Sequence, residues 1–174
     1  MINGYKVIDA DAHMQEPVDL WDKYVEKEFY ERRPKVANVE YQLFFKYESG
    51  ELYPKDLTGK DQMGRLRPTE ILERQPIKYG QAYEAWWSAE SRLTDMKRFG
   101  WDKMVLIPGT GAQPLKLEGK DPDLMFALAR AYHNWCHDFC NADPSKLKMV
   151  AQLPSYGIDD MLIEMRRAVE DSDY

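Results

Sequence analysis

Asp11 and His13 are the residues of this sequence whose types and spacing most directly suggest chemistry. They close the segment Tyr5-Lys6-Val7-Ile8-Asp9-Ala10-Asp11-Ala12-His13, which reads as a short strand ended by the polar run to Glu16 and by Pro17. Side chains along a strand point to alternate faces, so Asp9, Asp11 and His13 are expected on one side and Ile8, Ala10 and Ala12 on the other. A carboxylate oxygen and an imidazole nitrogen on one face suit Zn2+, Mn2+ or Fe2+, and α/β folds collect ligands at the C-terminal ends of parallel strands. The competing reading is that Asp-x-His arises often by chance and that a strand-end aspartate only caps a turn.

Other residues invite the same question. His133 and His137 lie four apart beside Cys136 and Cys140, and histidines at that spacing on a helix can share a zinc ion. At about 100° per residue, the apolar stripe Leu124, Leu128, Ala131, Trp135 and Phe139 lies opposite both histidines, which are therefore expected to point outward onto a solvated or subunit-facing surface. No Glu follows His133, so the metalloprotease pattern is absent, and two cysteines in one helix do not make a disulfide framework. Pro108-Gly109-Thr110-Gly111 lacks the Lys and the glycine spacing of a phosphate loop. Pro108 and Gly109 are expected to line a substrate pocket instead, joined by Trp86, because the adjacent indoles Trp86 and Trp87 cannot both face one core.

The elements that must position these residues can be read from periodicity. Val18, Trp21, Tyr24 and Val25 keep helical spacing, and Trp86, Ala89, Leu93, Met96 and Phe99 repeat at three and four before Gly100, which is placed to end that helix. Lys103 to Ile107 reads as a buried strand stopped by Pro108-Gly109, and Asp121-Pro122 as the cap and first-turn proline of a helix reaching Asn141. A strand over Met149 to Leu153, ended by Pro154, precedes a last helix with Ile158, Met161, Leu162, Met165 and Val169 on one side. Between about residues 32 and 80 the pattern weakens, with a strand over Val39 to Tyr47 and a turn at Glu48 to Glu51, and reads as an inserted lobe. Strands alternating with helices imply βα units and a parallel sheet.

Composition narrows the function classes. The 174 residues suit one domain, and 44% hydrophobic with 13% aromatic residues exclude a chain too poor in apolar surface to fold. Lys and Arg number 24 against 30 Asp and Glu, a net charge of -6, which argues against nucleic acid as the main ligand. No apolar run approaches the roughly 20 residues needed to cross a bilayer, and the polar start MINGYKVIDAD has no signal-peptide core, so a cytoplasmic protein without membrane contact is expected.

The opening Val7-Ile8-Asp9-Ala10-Asp11-Ala12-His13-Met14-Gln15-Glu16-Pro17, followed by Leu20-Trp21, resembles that of the amidohydrolase-related family, metal-dependent hydrolases and decarboxylases that include aminocarboxymuconate semialdehyde decarboxylase. Arg92-Leu93-Thr94-Asp95-Met96, Ala129 to Trp135, and Asp143-Pro144-Ser145-Lys146-Leu147 leading into Ala151-Gln152-Leu153-Pro154 resemble later landmarks in order. The resemblance covers the first unit and about residues 90 to 170. It implies a (β/α)8 TIM barrel whose divalent metal, Zn, Mn or Fe, is held at the mouth by two residues of the first strand, a histidine of a middle strand and an aspartate of the last. Only the first pair maps here, onto Asp11 and His13, with Asp11 where related families carry histidine. Glu16, in the family's Glu-Pro step, is a third candidate for the ion or its water, with a polar turn residue the competing reading; Asp9 is expected to face the barrel interior in a structural role.

Three βα units do not close a barrel, and parallel strands are normally paired or covered at both edges. The chain is therefore expected to be the N-terminal part of such a barrel, the rest supplied by a second polypeptide or by the remainder of a longer gene product, the first being favoured. The implied activity is hydrolysis or decarboxylation of a small organic acid or related carbonyl compound. Two further readings are a non-catalytic regulatory or scaffolding barrel half and a metal-free small-molecule binding module.

Overall fold

The computed structural model describes residues 2–17, 19–38, 44–46, 52–53, 88–109, 112, 115, 121–154 and 157–170. In chain order these form β1 (Ile8–His13), α1 (Leu20–Tyr24), a 3-10 turn (Tyr30–Arg32), β2 (Lys35–Asn38), β3 (Phe44–Lys46) and β4 (Leu52–Tyr53). Then follow α2 (Ala89–Phe99), β5 (Lys103–Ile107), α3 (Pro122–Cys140), β6 (Leu147–Met149) and α4 (Ile158–Glu170). Strands β1, β5 and β6 make one parallel sheet in that order, while β2, β3 and β4 make a separate antiparallel one. The fold is mixed α/β. Of the expected lobe, the structure describes little beyond the antiparallel sheet; residues 54–87, with Trp86 and Trp87, lie outside the described residues.

Local chemistry sets the helix ends. Ser88 Oγ accepts the Ser91 N–H at 3.3 Å at the start of α2, and Gly100, at φ 75°, closes it in the left-handed conformation that glycine adopts without steric cost. Asp121 accepts the Asp123 N–H at 3.0 Å ahead of Pro122, which loses nothing by lacking an N–H in a first turn. Both termini agree with the sequence pattern. The first helix is shorter than expected, because its apolar anchors Leu20 and Trp21 are buried while the chain turns extended at Val25.

The third parallel strand lies upstream of its expected position, at 147–149 rather than 149–153. Pairing explains the shift: Leu147, Lys148 and Met149 oppose Met104, Val105 and Leu106, and β5 runs out soon after at Pro108. Met104, Leu106, Leu147 and Met149 turn to one face of the sheet and are buried there with Trp21, Tyr132 and Trp135. Helix α3 supplies most of this cover. It is buried on more of its circumference than one stripe, since Met125, Tyr132, His133, Cys136 and Cys140 are buried as well as Leu124, Leu128 and Trp135.

His133 therefore corrects an expectation. It does not point outward: α4 covers it, and its Nδ1 lies 2.6 Å from Glu164 Oε1. Arg167 binds the same carboxylate at 2.9 and 2.8 Å and reaches Asn134 Oδ1 at 3.3 Å. The apolar residues that share one side of α4 are not the ones it buries. Glu164 and Ala168 are buried against α3, whereas Ile158, Leu162, Met165 and Val169 are exposed. Both cysteines are buried thiols outside any disulfide, and burial pushes the Cys140 thiol up to about 11. Among the described residues no helix is long and apolar enough to cross a membrane.

Candidate functional site

The register of β1 on β5 decides which residues reach the uncovered face of the sheet. Ile8 and Asp9 pair with Lys103 and Met104, and Ala12 and His13 pair with Leu106 and Ile107, so Ala10 and Asp11 together oppose Val105. That is a β-bulge, and it interrupts the alternation. Asp9, level with the buried Met104, belongs to the helix-covered side rather than to the barrel-interior face expected for it. Its carboxylate accepts the Asp11 N–H at 3.0 Å, satisfying a backbone donor where the ladder is broken.

Past the bulge, Asp11 and His13 come together. Asp11 Oδ1 and His13 Nδ1 stand 3.9 Å apart, with the Asp11 side chain 84% and the His13 side chain 66% exposed. His13 Nδ1 is also 3.3 Å from the Asp11 carbonyl oxygen. Two donors about 2.1 Å from one tetrahedral ion sit roughly 3.4 Å apart, so a small side-chain adjustment brings this pair to metal-binding separation. Two ligands do not make a closed site. Among the described residues no group of three His, Cys, Asp or Glu side chains is arranged to hold a metal ion.

Glu16 is placed elsewhere. It is 1% exposed, and its Oε1 accepts both the Gly109 N–H at 2.7 Å and the Tyr132 hydroxyl at 2.8 Å. The carboxylate thus joins the end of β1, the loop after β5 and helix α3. Gly109 packs so closely there that a Cβ would collide with the Met14 carbonyl oxygen and lie 2.7 Å from Glu16 Oε2, which explains why glycine occupies the position. Pro108 and Gly109 are half-buried just past β5, beside the strand end that carries His13. Trp86, expected to line a pocket with them, lies outside the described residues.

Arg92 is a participant that pattern reasoning passed over. It reaches from α2 to donate to the His13 carbonyl oxygen and to the Met104 sulfur at 3.7 Å, and its buried Nε has no hydrogen-bond partner among the described residues. Burial lowers its proton affinity, partly offset by the nearby charges of Glu16, Asp9 and Asp95, but a guanidinium stays charged at any ordinary pH. The only signal in the sequence was its place within Arg-Leu-Thr-Asp-Met; nothing in the spacing points from residue 92 to residue 13. Asp9 and Arg92 thus fix the backbone on either side of the exposed pair from the covered face.

No protein-family model matches the sequence, and no curated protein does. Among solved structures, the chain is similar to an amidohydrolase from Mycobacterium avium subsp. paratuberculosis K-10, with a TM-score of 0.64 at 16% sequence identity. The likeness covers 96% of this chain and 47% of that one, so the chain spans about half the length of that protein. At such identity the shared feature is the fold.

Proposed function

We propose that this chain forms the N-terminal part of a (β/α)8 barrel and supplies Asp11 and His13 as two ligands of a divalent ion, Zn, Mn or Fe, in an amidohydrolase-type enzyme. One observation carries the reading. A carboxylate and an imidazole lie 3.9 Å apart on the uncovered face, at the C-terminal end of a strand in a parallel sheet whose fold matches half of an amidohydrolase. The remaining ligands, the general acid or base and most of the substrate pocket come from the further strands that complete the barrel.

The donor set fits a borderline cation, since one oxygen and one nitrogen suit all three candidate metals. Bound there, the ion would either lower the pKa of a water molecule that attacks a carbonyl-type carbon or orient a substrate carboxylate for loss as CO2. The substrate is a small organic acid or related carbonyl compound. Asp9 and Arg92 hold the backbone of the two ligands, so Asp11 and His13 are spaced before any ion arrives. Glu16 fixes the loop at Gly109, whose backbone then borders the space above the pair. Its Oε1, which accepts from a backbone N–H and a hydroxyl, works as a brace.

The test is metal content and turnover of the assembled complex. With His13→Ala, the bound metal and the activity are expected to disappear together while the assembly persists. Unchanged activity would replace this reading with a non-catalytic barrel half, and a ligand pocket indifferent to chelators would replace it with a metal-free binding module.

A further inference from the structure

We infer that a cavity beside the N-terminal end of β5, between α2 and the turn that enters β6, is a binding site for a small aromatic monocarboxylate. The cavity occupies about 400 Å3 and is lined by Leu93, Thr94, Met96, Lys97, Trp101 and Lys146. That volume falls within the range of small-molecule sites. It lies on the helix-covered side, at the opposite end of the sheet from the metal-ligand pair: Trp101 precedes β5, whereas His13 pairs with Ile107 at its far end. At about 3.3 Å per strand residue, roughly 15 Å separates the two places. β5 is the middle strand, and further strands join beside β1 and β6, so the walls of the cavity belong to this chain.

Those walls are fixed before any ligand arrives. The Trp101 N–H donates to the Met96 carbonyl oxygen at 2.9 Å, and its indole packs on Phe99 with 5.4 Å between ring centroids. Across the cavity, the Met104 N–H donates to the Lys146 carbonyl oxygen at 2.8 Å and ties the turn to β5. Lys146 Nζ donates to Asp143 Oδ2 at 2.8 Å, and the Ser145 hydroxyl holds the other oxygen of that carboxylate at 2.6 Å.

The lining joins two kinds of surface. Met96 is buried and Leu93 and Trp101 are half-buried, offering a thioether, an aliphatic side chain and an indole to an aromatic ring. The rim is cationic, and no carboxylate lines the cavity among the described residues. Lys97 is exposed and has no ion pair or hydrogen bond through its ammonium among those residues, and the Trp101 indole N–H has no acceptor among them. Charge then decides between anions. Asp143 offsets Lys146 while Lys97 stays uncompensated, so the site balances one negative charge rather than the two of a phosphate monoester. Lys146 spends one of its three ammonium protons on Asp143 and keeps two for a ligand oxygen. With a net charge of -6 on the whole chain, an anion is held here by these two lysines and not by the overall field.

The test is ligand-observed fluorine NMR of the full chain with para-fluorophenylacetate. A Kd below about 1 mM is expected, and para-fluorophenylacetamide, which keeps the ring and loses the charge, should bind at least tenfold more weakly. Lys97→Gln should weaken binding at least fivefold. Thr94→Trp, at an exposed position on the wall, should abolish it by filling the space, and both variants should keep the melting temperature of the unaltered chain. His13→Ala and metal chelation should leave binding as it is, which separates this site from capture of a carboxylate by an ion at Asp11 and His13. No binding by the unaltered chain, equal affinity for the amide, indifference to Lys97→Gln, or loss of binding on chelation would each overturn the proposal. Tenfold tighter binding of para-fluorophenyl phosphate would overturn the assignment to a monocarboxylate.

Discussion

The two faces of the parallel sheet are built from the same three strands and could hardly differ more. On one, Met104, Leu106, Leu147 and Met149 are buried beneath helices, and every charged group that reaches it is engaged: Glu16 by Gly109 and Tyr132, Asp9 by the Asp11 N–H. On the other, Ile8, Asp11, His13 and Lys103 are exposed, and Val105, Ile107 and Lys148 are only partly covered. The covered face is a finished hydrophobic core with braces at its rim. The open face holds a close carboxylate–imidazole pair and, among the described residues, lacks the cover that a parallel sheet ordinarily has. Stability and chemistry are therefore expected to respond to different residues, although the residues concerned are neighbours in sequence.

The largest effect should come from the covered face. Leu106→Ala removes a side chain that is completely buried at the centre of the sheet and is expected to cost about 2–5 kcal/mol, measured by urea denaturation. Next comes the brace. Glu16→Ala would leave the Gly109 N–H and the Tyr132 hydroxyl without their acceptor, at about 1–3 kcal/mol for each buried group, whereas Glu16→Gln keeps an oxygen in place and should cost distinctly less. Equal destabilisation by Ala and Gln would show that charge beside Arg92, rather than acceptance by Oε1, is what matters there. Gly109→Ala belongs to the same group, because the new methyl would meet the Met14 backbone and cannot be relieved by a side-chain rotation.

This division was only partly legible in the sequence. Strand 103–107 and helix 122–140 could be read with their ends, because an apolar run stopped by Pro-Gly and an Asp-Pro start are local signals. The position of β6 was not, since it depends on where β5 stops and not on the composition of residues 147–153. The nearness of Asp11 and His13 followed from spacing, but the face given to Asp9 was wrong: a bulge held by its own carboxylate shifts the alternation by one. The side of α4 that packs on α3 was not legible either. Hydrophobic periodicity finds the apolar stripe, while a buried glutamate sets the contact with α3. Arg92 and Tyr132 act on partners 79 and 116 residues away, beyond any local pattern.

The clasp gives a smaller, pH-dependent effect. Burial pushes the Glu164 carboxyl up, but hydrogen bonds from His133 and Arg167 and their charges outweigh it and hold the group below its ordinary value of 4.5. A folded-state value below the unfolded one means that the contribution is complete above about pH 4.5 and is lost as pH falls through the folded-state value. Acid titration of the melting temperature should therefore show a decline below that point, and Glu164→Gln should flatten it. If the two titration curves fell in parallel, the acid sensitivity would lie with other carboxylates, and the packing of α4 on α3 would not depend on the ionised clasp.

The smallest effect on stability is expected where the largest effect on chemistry is proposed. His13→Ala removes a ring that is mostly in solvent and that, among the described residues, lies against Asp11 two positions back, so the stability measured in urea should change by no more than the ~0.5 kcal/mol typical of surface positions. Its backbone carbonyl, the group that Arg92 binds, is untouched by the substitution. Arg92→Met is the informative companion: it should destabilise, because it withdraws the donor from that carbonyl, and it should loosen metal binding by freeing the backbone that spaces the pair. Metal lost in His13→Ala at full stability, and metal weakened in Arg92→Met along with stability, would place the ligand on the open face and its support on the covered one. A stability loss in His13→Ala comparable to that of Leu106→Ala would erase the distinction, because the imidazole would then be part of the core that it stands beside.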